Sequence, residues 1–230
     1  MGLALIAAAA LVAHAQEPLR ARVELTRDGH RVKDASEVVI WLSPLGAQVD
    51  RPKQDPAHIP ALVQRDKKFH PGLLVIPVGG KVEFPNDDPF FHNVFSLYEG
   101  KRFDLGLYES GTTRFVQFDK PGISFIFCNI HSQMNAVVIA LATPYYGISD
   151  THGEISIKDV PPGRYQMQIF HSAVPPDNLK TLTREVTIAP GQTTLGNFTL
   201  AETDAEVAHK NKYGRDYDRP DPDSPAYSHP

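Results

Sequence analysis

The chain has 230 residues, which is enough for one large domain or two small ones. Its hydrophobic content of 41% allows a substantial core. The formal net charge of −4, with basic residues scattered along the chain, argues against nucleic-acid binding. Cys128 is the single cysteine, so no disulfide can form within the chain.

Residues 1–15 are predicted to be a cleaved signal peptide. The run "MGLALIAAAALVAHA" is apolar but too short to span a bilayer comfortably, and it ends in a small-x-small cleavage site. It lacks the basic residues that usually open such a peptide, so a buried strand or helix is the alternative. Cleavage would place a mature chain beginning near Gln16 in the periplasm. No second apolar run reaches membrane-spanning length.

Nearly all of the remaining chain is predicted as strand, with no amphipathic helix of ten residues or more. Residues 21–42 alternate around an Asp-Gly turn, and "GLLVIPVGGKVEFPNDD" gives two strands around a Gly-Gly pair. "GISFIFC" and "AVVIALATP" are two further strands. After Pro144, strands with Ile155 and Ile157, then Tyr165, Met167 and Ile169, each on one face, flank a Pro-Pro-Gly turn.

The tail at 202–230 is predicted to be disordered because it is polar, rich in proline and nearly free of aliphatic residues. Docking of the tail on the domain through Tyr213, Tyr217 and Tyr227 is the alternative.

Four side chains form a candidate metal site: His92, Cys128, His131 and Met134. An unpaired thiol in an oxidising compartment is buried and inert, bonded to another molecule, or held by a metal. Two histidines, one cysteine and a weak axial methionine are the ligands of blue-copper electron-transfer centres. Cys128 ends a strand, and His131 and Met134 follow in one short loop. Asn93 follows His92, where its side-chain amide could bond to the Cys128 loop.

Other interpretations of the four side chains are less favoured. Zinc is the main competing metal, but structural zinc sites use cysteine and histidine and methionine is a poor zinc ligand. A catalytic Cys–His pair lacks an orienting acid and an oxyanion loop in the neighbouring sequence. Each residue alone would be ordinary, since a lone cysteine is most often a small buried hydrophobe.

The segment "FHPGLLVIPVGGKVEFPNDDPFFHNVFS", followed by "CNIHSQM", resembles the cupredoxins of the plastocyanin and amicyanin group. The resemblance covers roughly residues 66–143, and more narrowly the chain is similar to exported proteins of the methylamine utilization type. It implies a Greek-key β-sandwich that binds one type 1 copper ion. By position the ligands would be His92, Cys128, His131 and Met134, and the Asn93 side chain would form a supporting hydrogen bond to the Cys128 loop.

The sequence departs from this family inside the ligand loop. Small blue copper proteins often have proline directly before the second histidine, where this chain has Ile130, and Asn129 stands where serine or threonine is common. Proline stiffens a loop and removes an amide. The departure therefore puts the reduction potential in doubt more than the identity of the metal.

The flanking strands resemble a second fold. "HGEISIKDVPPGRYQMQIF" is similar to the core of carboxypeptidase-regulatory-like, or prealbumin-like, sandwiches. The strands that open such a module lie before the copper segment, so we expect a cupredoxin domain at 46–146 inserted into a small sandwich built from 20–45 and 147–200. The alternative is a single enlarged sandwich. Pairing of the strand at 37–42 within the copper sheet would exclude insertion.

Together these features predict an all-β, periplasmic, monomeric copper protein that carries single electrons and is not an enzyme. Its partner would be a cytochrome or a periplasmic dehydrogenase that binds transiently. Two other functions stay open: copper binding and delivery without electron transfer, and an envelope interaction module in which copper is structural.

Overall fold

The computed structural model describes residues 17–46, 51–97, 100–203 and 210–217. The predicted signal peptide and most of the predicted tail lie outside these ranges. The described residues are almost entirely β, as predicted, with one short helix, α1 (Pro176–Leu182). No helix in the described ranges is long and apolar enough to cross a membrane.

Flanking segments of the chain form two facing sheets. Their strands are β1 (Leu19–Arg27), β2 (His30–Arg31), β3 (Val39–Pro44), β13 (Tyr146–Ile148), β14 (Glu154–Ile157), β15 (Gly163–Phe170), β16 (Arg184–Ile188) and β17 (Thr194–Ala201). The first sheet has the order β14-β1-β17, with β2 paired to the C-terminal end of β1, and the second has the order β13-β3-β15-β16.

The alternation read from the sequence builds the core between these two sheets. Ile155 and Ile157 of β14 and Tyr165, Met167 and Ile169 of β15 are all buried in one apolar cluster, which confirms the predicted faces. Alternation with period two places such residues on one side of a strand.

The pairing of strand β3 bears on the choice between the two predicted architectures. It pairs antiparallel with β13 and with β15, through registers such as Tyr146↔Trp41 and Ile169↔Ile40. Among the described strands it has no pairing within the sheet that leads to Cys128. This topology is the one that insertion requires, while the domain bounds at 46–146 and at 20–45 with 147–200 stay a prediction.

The central part of the chain forms a second sandwich. Its strands are β4 (Val63–Arg65), β5 (Lys68–His70), β6 (Leu73–Pro77), β7 (Lys81–Pro85), β8 (His92–Ser96), β9 (Phe103–Tyr108), β10 (Thr113–Gln117), β11 (Gly122–Phe127) and β12 (Asn135–Leu141). A five-stranded sheet in the order β6-β12-β11-β8-β9 faces the pair β10-β7, and β4-β5 is a separate hairpin.

Strand β12 is buried on both faces, which explains why "AVVIAL" is apolar throughout. Its even-numbered residues, such as Val138, lie in the core of the central sandwich. Its odd-numbered residues, such as Ile139, pack against Trp41 of β3 and Phe170 of β15. A strand covered on both sides shows a continuous hydrophobic run rather than alternation. The two sandwiches therefore meet through β12.

Candidate metal centre

Three donor atoms converge at one end of the central sandwich. His92 is the first residue of β8, and Cys128 directly follows β11, its neighbour in the sheet. The Cys128 Sγ atom lies 3.7 Å from Nδ1 of His92 and 3.7 Å from Nδ1 of His131. One ligand atom from each of the three residues lies within 4.8 Å of the others, so the group can hold a metal ion.

Met134 closes the loop that carries two of these donors. Its backbone carbonyl accepts a hydrogen bond from the Cys128 amide at 3.1 Å, and its own amide donates to the His131 carbonyl at 3.1 Å. The Met134 side chain is fully buried in the same apolar cluster as Cys128. All four predicted ligands are thus brought to one place, although 36 residues separate His92 from Cys128.

The Cys128 thiol is buried and faces backbone amides. Burial raises its pKa, while hydrogen bonds from the amides of Asn93, Ile130 and His131 act in the opposite direction. Backbone N–H groups directed at a sulfur favour the thiolate, which is the form that binds a metal. Ile130 stands where small blue copper proteins often have proline, and it supplies an amide that proline would lack.

His92 is oriented by a buried carboxylate. Its Nε2 donates to Oδ2 of Asp88 at 2.7 Å, and this leaves Nδ1, the atom nearest Cys128, to bind a metal. Asp88 also accepts hydrogen bonds from the amides of Asp66 and Lys67 at 2.7 and 3.0 Å. Burial alone would raise the pKa of Asp88, but the bonds from Lys67, His92 and Asp66 outweigh it and hold this pKa below its usual value.

Asn86 shapes the loop that delivers His92. Its amide nitrogen donates to the carbonyls of Phe90 and Tyr108 at 2.8 and 3.2 Å, and its side-chain oxygen accepts from the Asp88 amide at 3.1 Å. Asn86 is completely buried, so these bonds satisfy a polar group that would otherwise be costly to bury. The carboxylate behind His92 is consequently fixed by the loop as well as by its own contacts.

His131 is half-buried, whereas His92 is fully buried. Burial lowers the pKa of His131 to about 4, with the charge of His92 adding to the effect. Burial likewise lowers the pKa of His92, against the opposing influence of Asp88. The Phe90 ring lies 5.1 Å from the His92 ring and 5.8 Å from the His131 ring. Both shifts favour the neutral imidazole, which is the form that binds a metal.

The side chain of Asn93 lies elsewhere than the sequence suggested. Its amide nitrogen donates to Oδ1 of Asp104 at 2.7 Å, on β9, rather than to the Cys128 loop. The tie to the thiol is instead made by the Asn93 backbone amide. Strand β8 pairs directly with β9, so the Asn93 side chain meets a partner across the strand before it can reach the loop.

The sequence did not identify Asp88 or Lys212 as residues of the site, and Tyr217 was named only as one of three tyrosines through which the tail could dock. Asp88 lies four residues before His92, a spacing that could have identified it as the partner of this histidine. Lys212 and Tyr217 come from the C-terminal segment. The Lys212 amide donates to the Asn129 side chain at 2.9 Å, and the Tyr217 hydroxyl donates to the Cys128 carbonyl at 2.7 Å.

No family model matches the chain, and no curated protein matches it. The solved structures to which it is similar include cupredoxins. A purple cupredoxin from Nitrosopumilus maritimus is 24% identical over 35% of this chain and 96% of its own, with a TM-score of 0.32. Amicyanin from Paracoccus versutus is 22% identical over 38% of this chain and 85% of its own, with a TM-score of 0.34.

A third similar structure is the Cu-containing nitrite reductase NirK from Thermus scotoductus SA-01. It is 22% identical over 52% of this chain and 28% of its own, with a TM-score of 0.36. All three TM-scores are below 0.5, so the argument for function depends on the residues of the site.

Proposed function

We propose that the chain carries single electrons between redox proteins through one copper ion held by His92, Cys128, His131 and Met134. The observation that carries the proposal is the convergence of two imidazole Nδ1 atoms on one buried, unpaired thiol, with a buried methionine ending the same loop. One thiolate, two imidazoles and one thioether suit copper, whereas methionine is a poor zinc ligand. Bound copper would supply the one-electron couple.

The protein's own residues support a site that changes little when an electron moves. Asp88 and Asn86 hold His92 in one orientation, and the loop bonds between Cys128, His131 and Met134 fix the other three donors. Because His92, Cys128 and Met134 are fully buried, water is kept from most of the site. A rigid, dry site lowers the reorganisation that electron transfer requires.

The half-buried His131 is the proposed route for the electron to leave. Phe91, directly before β8, and Leu107, opposite Asn93 on β9, are 53% and 59% exposed. Exposed apolar side chains near a redox site suit a small, weak encounter with a cytochrome or a periplasmic dehydrogenase. Export by residues 1–15, a monomeric state and the methylamine utilization type belong to the same proposal.

The proposal includes the absence of enzymatic turnover at the metal. Four protein donors would leave no open coordination position for a substrate, and catalytic metal sites keep such a position. If the copper-loaded protein converted a small molecule on which copper enzymes act, such as nitrite, the proposed absence of turnover would be wrong.

Copper loading followed by visible absorption, electron paramagnetic resonance and reversible reduction tests the proposal. We expect an intense thiolate-to-Cu(II) band in the parent protein and in His152→Ala, an exposed histidine of the flanking sandwich, as a control. Cys128→Ser should give a folded, colourless protein. A tight but colourless parent complex would instead favour copper delivery, and unfolding of Cys128→Ser would favour a structural copper.

A further inference from the structure

The C-terminal segment 210–217 lies across the candidate metal centre. It touches the ligand loop and strand β9, although 83 to 108 residues separate it from its partners there. Side chains and backbone of this short segment make three contacts to these two elements. The function of these contacts is not explained by the ligand set itself.

Two of the contacts hold the beginning of the ligand loop. The Tyr217 hydroxyl donates to the backbone carbonyl of Cys128 at 2.7 Å. The Lys212 amide donates to the Asn129 side chain at 2.9 Å. The loop has no proline between Cys128 and Met134, so its backbone is not stiffened from within. Contacts from outside therefore restrict the residues that set the position of the Sγ atom.

The third contact reaches the strand that supports His92. Lys212 Nζ lies 2.9 Å from Oδ2 of Asp104, and the lysine side chain is only 21% exposed. The other oxygen of Asp104 accepts hydrogen bonds from the Asn93 side chain and the Gly106 amide. The backbone amide of the same Asn93 faces the Cys128 thiol. The segment thus links the two elements that carry the first histidine and the cysteine.

The segment also has a defined turn of its own. The Asn211 amide donates to the Arg215 carbonyl at 2.8 Å, and the Gly214 amide donates back to the Asn211 carbonyl at 2.9 Å. Gly214 has a φ of +74°, a conformation that glycine adopts without strain. This closed turn presents Lys212 at one side and Tyr217 at the other, in position for their separate partners.

We propose that segment 210–217 is a strap that holds the Cys128–Met134 loop in its ligand-presenting conformation, with Tyr217 and Lys212 as its positioning residues. This proposal rests on the proposed function in one respect: the conformation is called ligand-presenting because the loop is proposed to bind copper. The holding itself is a property of the metal-free chain and can be measured without copper.

Amide hydrogen exchange in the metal-free, full-length protein tests the strap. The reporters are the Cys128 and Met134 amides, which are hydrogen-bonded inside the loop. In Tyr217→Phe we expect exchange at both amides to be about three- to tenfold faster, the effect of one net hydrogen bond. Lys212→Met, which keeps the aliphatic stem, should change exchange in the same direction.

Tyr165→Phe is the matched control. Its hydroxyl also donates to a backbone carbonyl at 2.7 Å, that of Pro161, but within the flanking sandwich. We expect this variant to leave exchange at Cys128 and Met134 unchanged. After copper loading, only Tyr217→Phe should shift the thiolate-to-copper band, a signature that loss of overall stability would not produce.

The results separate the strap from the proposed function. Unchanged loop exchange in Tyr217→Phe, or equal acceleration in both tyrosine variants, would overturn the strap. A thiolate-to-copper band in Tyr217→Phe that is identical to the band of the parent protein would also overturn the strap. If the parent protein binds no copper while loop exchange rises in Tyr217→Phe but not in Tyr165→Phe, the strap stands and the electron-transfer proposal is lost.

Discussion

Replacing Asp88 by asparagine tests whether the orientation of His92 depends on a buried charge. Asp88 is 4% exposed and accepts three hydrogen bonds, from the amides of Asp66 and Lys67 and from Nε2 of His92. Asparagine has nearly the same shape but only one acceptor oxygen. If that oxygen faces Lys67 and His92, the Asp66 amide meets an NH₂ group, and in the other orientation both the Lys67 amide and His92 Nε2 do.

Either orientation weakens the support behind a metal ligand. Substitutions in the shell behind a metal ligand typically reduce metal affinity by about 10–100-fold. At 1.36 kcal/mol for each factor of ten, this corresponds to about 1.4–2.7 kcal/mol of binding free energy. We expect Asp88→Asn to lose copper affinity within this range while it remains folded.

Competition for Cu(I) with a chelator of known affinity measures the effect. Asp87→Asn is the control, because it removes the same charge from the neighbouring, exposed position. Long-range electrostatics would weaken copper binding in both variants alike, whereas only the change at position 88 alters the hydrogen bonds that hold the side chain behind His92. Equal copper affinities for the two variants would refute the assignment of Asp88 as the residue that orients His92.

Three further predictions concern the scaffold. In denaturant titrations, Gly153→Ala should lower the free energy of unfolding by roughly 1–3 kcal/mol more than Gly29→Ala. Both glycines have a positive φ, but only a Cβ at position 153 would lie 2.0 Å from the Val23 carbonyl oxygen. Equal losses of stability in the two variants would contradict this clash. Ile139→Ala should lower the free energy of unfolding by about 2–5 kcal/mol, since this fully buried side chain lies in the contact between the two sandwiches. A loss of less than about 1 kcal/mol would show that this contact contributes little to stability. Burial alone would raise the pKa of Asp104, but the hydrogen bonds that this carboxylate accepts hold its pKa below the ordinary 3.8. The contribution of Asp104 to folding stability is therefore complete above pH 3.8 and is lost as the pH falls through the lowered pKa. The difference in melting temperature between the parent protein and Asp104→Asn should therefore shrink in acid, and a difference that persists at low pH would exclude the carboxylate as its source.

The part of the candidate site that is contiguous in the chain could be predicted from the sequence. Cys128, His131 and Met134 lie in one seven-residue stretch at the end of an apolar strand, so their proximity follows from chain connectivity. Likewise, strict alternation in β14 and β15 predicted which side chains face the core, because a strand has a period of two. His92 was identifiable because its residue type completes the ligand set of the other three.

Contacts between distant parts of the chain were beyond sequence reasoning. The partner of the Asn93 side chain depends on the register between β8 and β9, in which Asn93 lies opposite Leu107. A single sequence does not specify this register, since turn geometry and packing decide it. The Lys212 and Tyr217 contacts depend on the path of a polar segment whose composition predicted disorder. Composition reports how little apolar surface a segment buries, not which carbonyl its few hydrogen bonds can reach.

The two sandwiches and the C-terminal segment act on opposite ends of the same loop. Met134 directly precedes β12, and β12 is fixed on one face by the central core and on the other by Trp41 and Phe170 of the flanking strands. The far end of the ligand loop therefore has little freedom to move. Cys128, at the near end, follows β11 and has its carbonyl bonded to Tyr217. A short loop without proline can hold its three proposed donors in place when both of its ends are fixed, and the flanking strands would contribute to the candidate metal centre in this way without supplying a ligand.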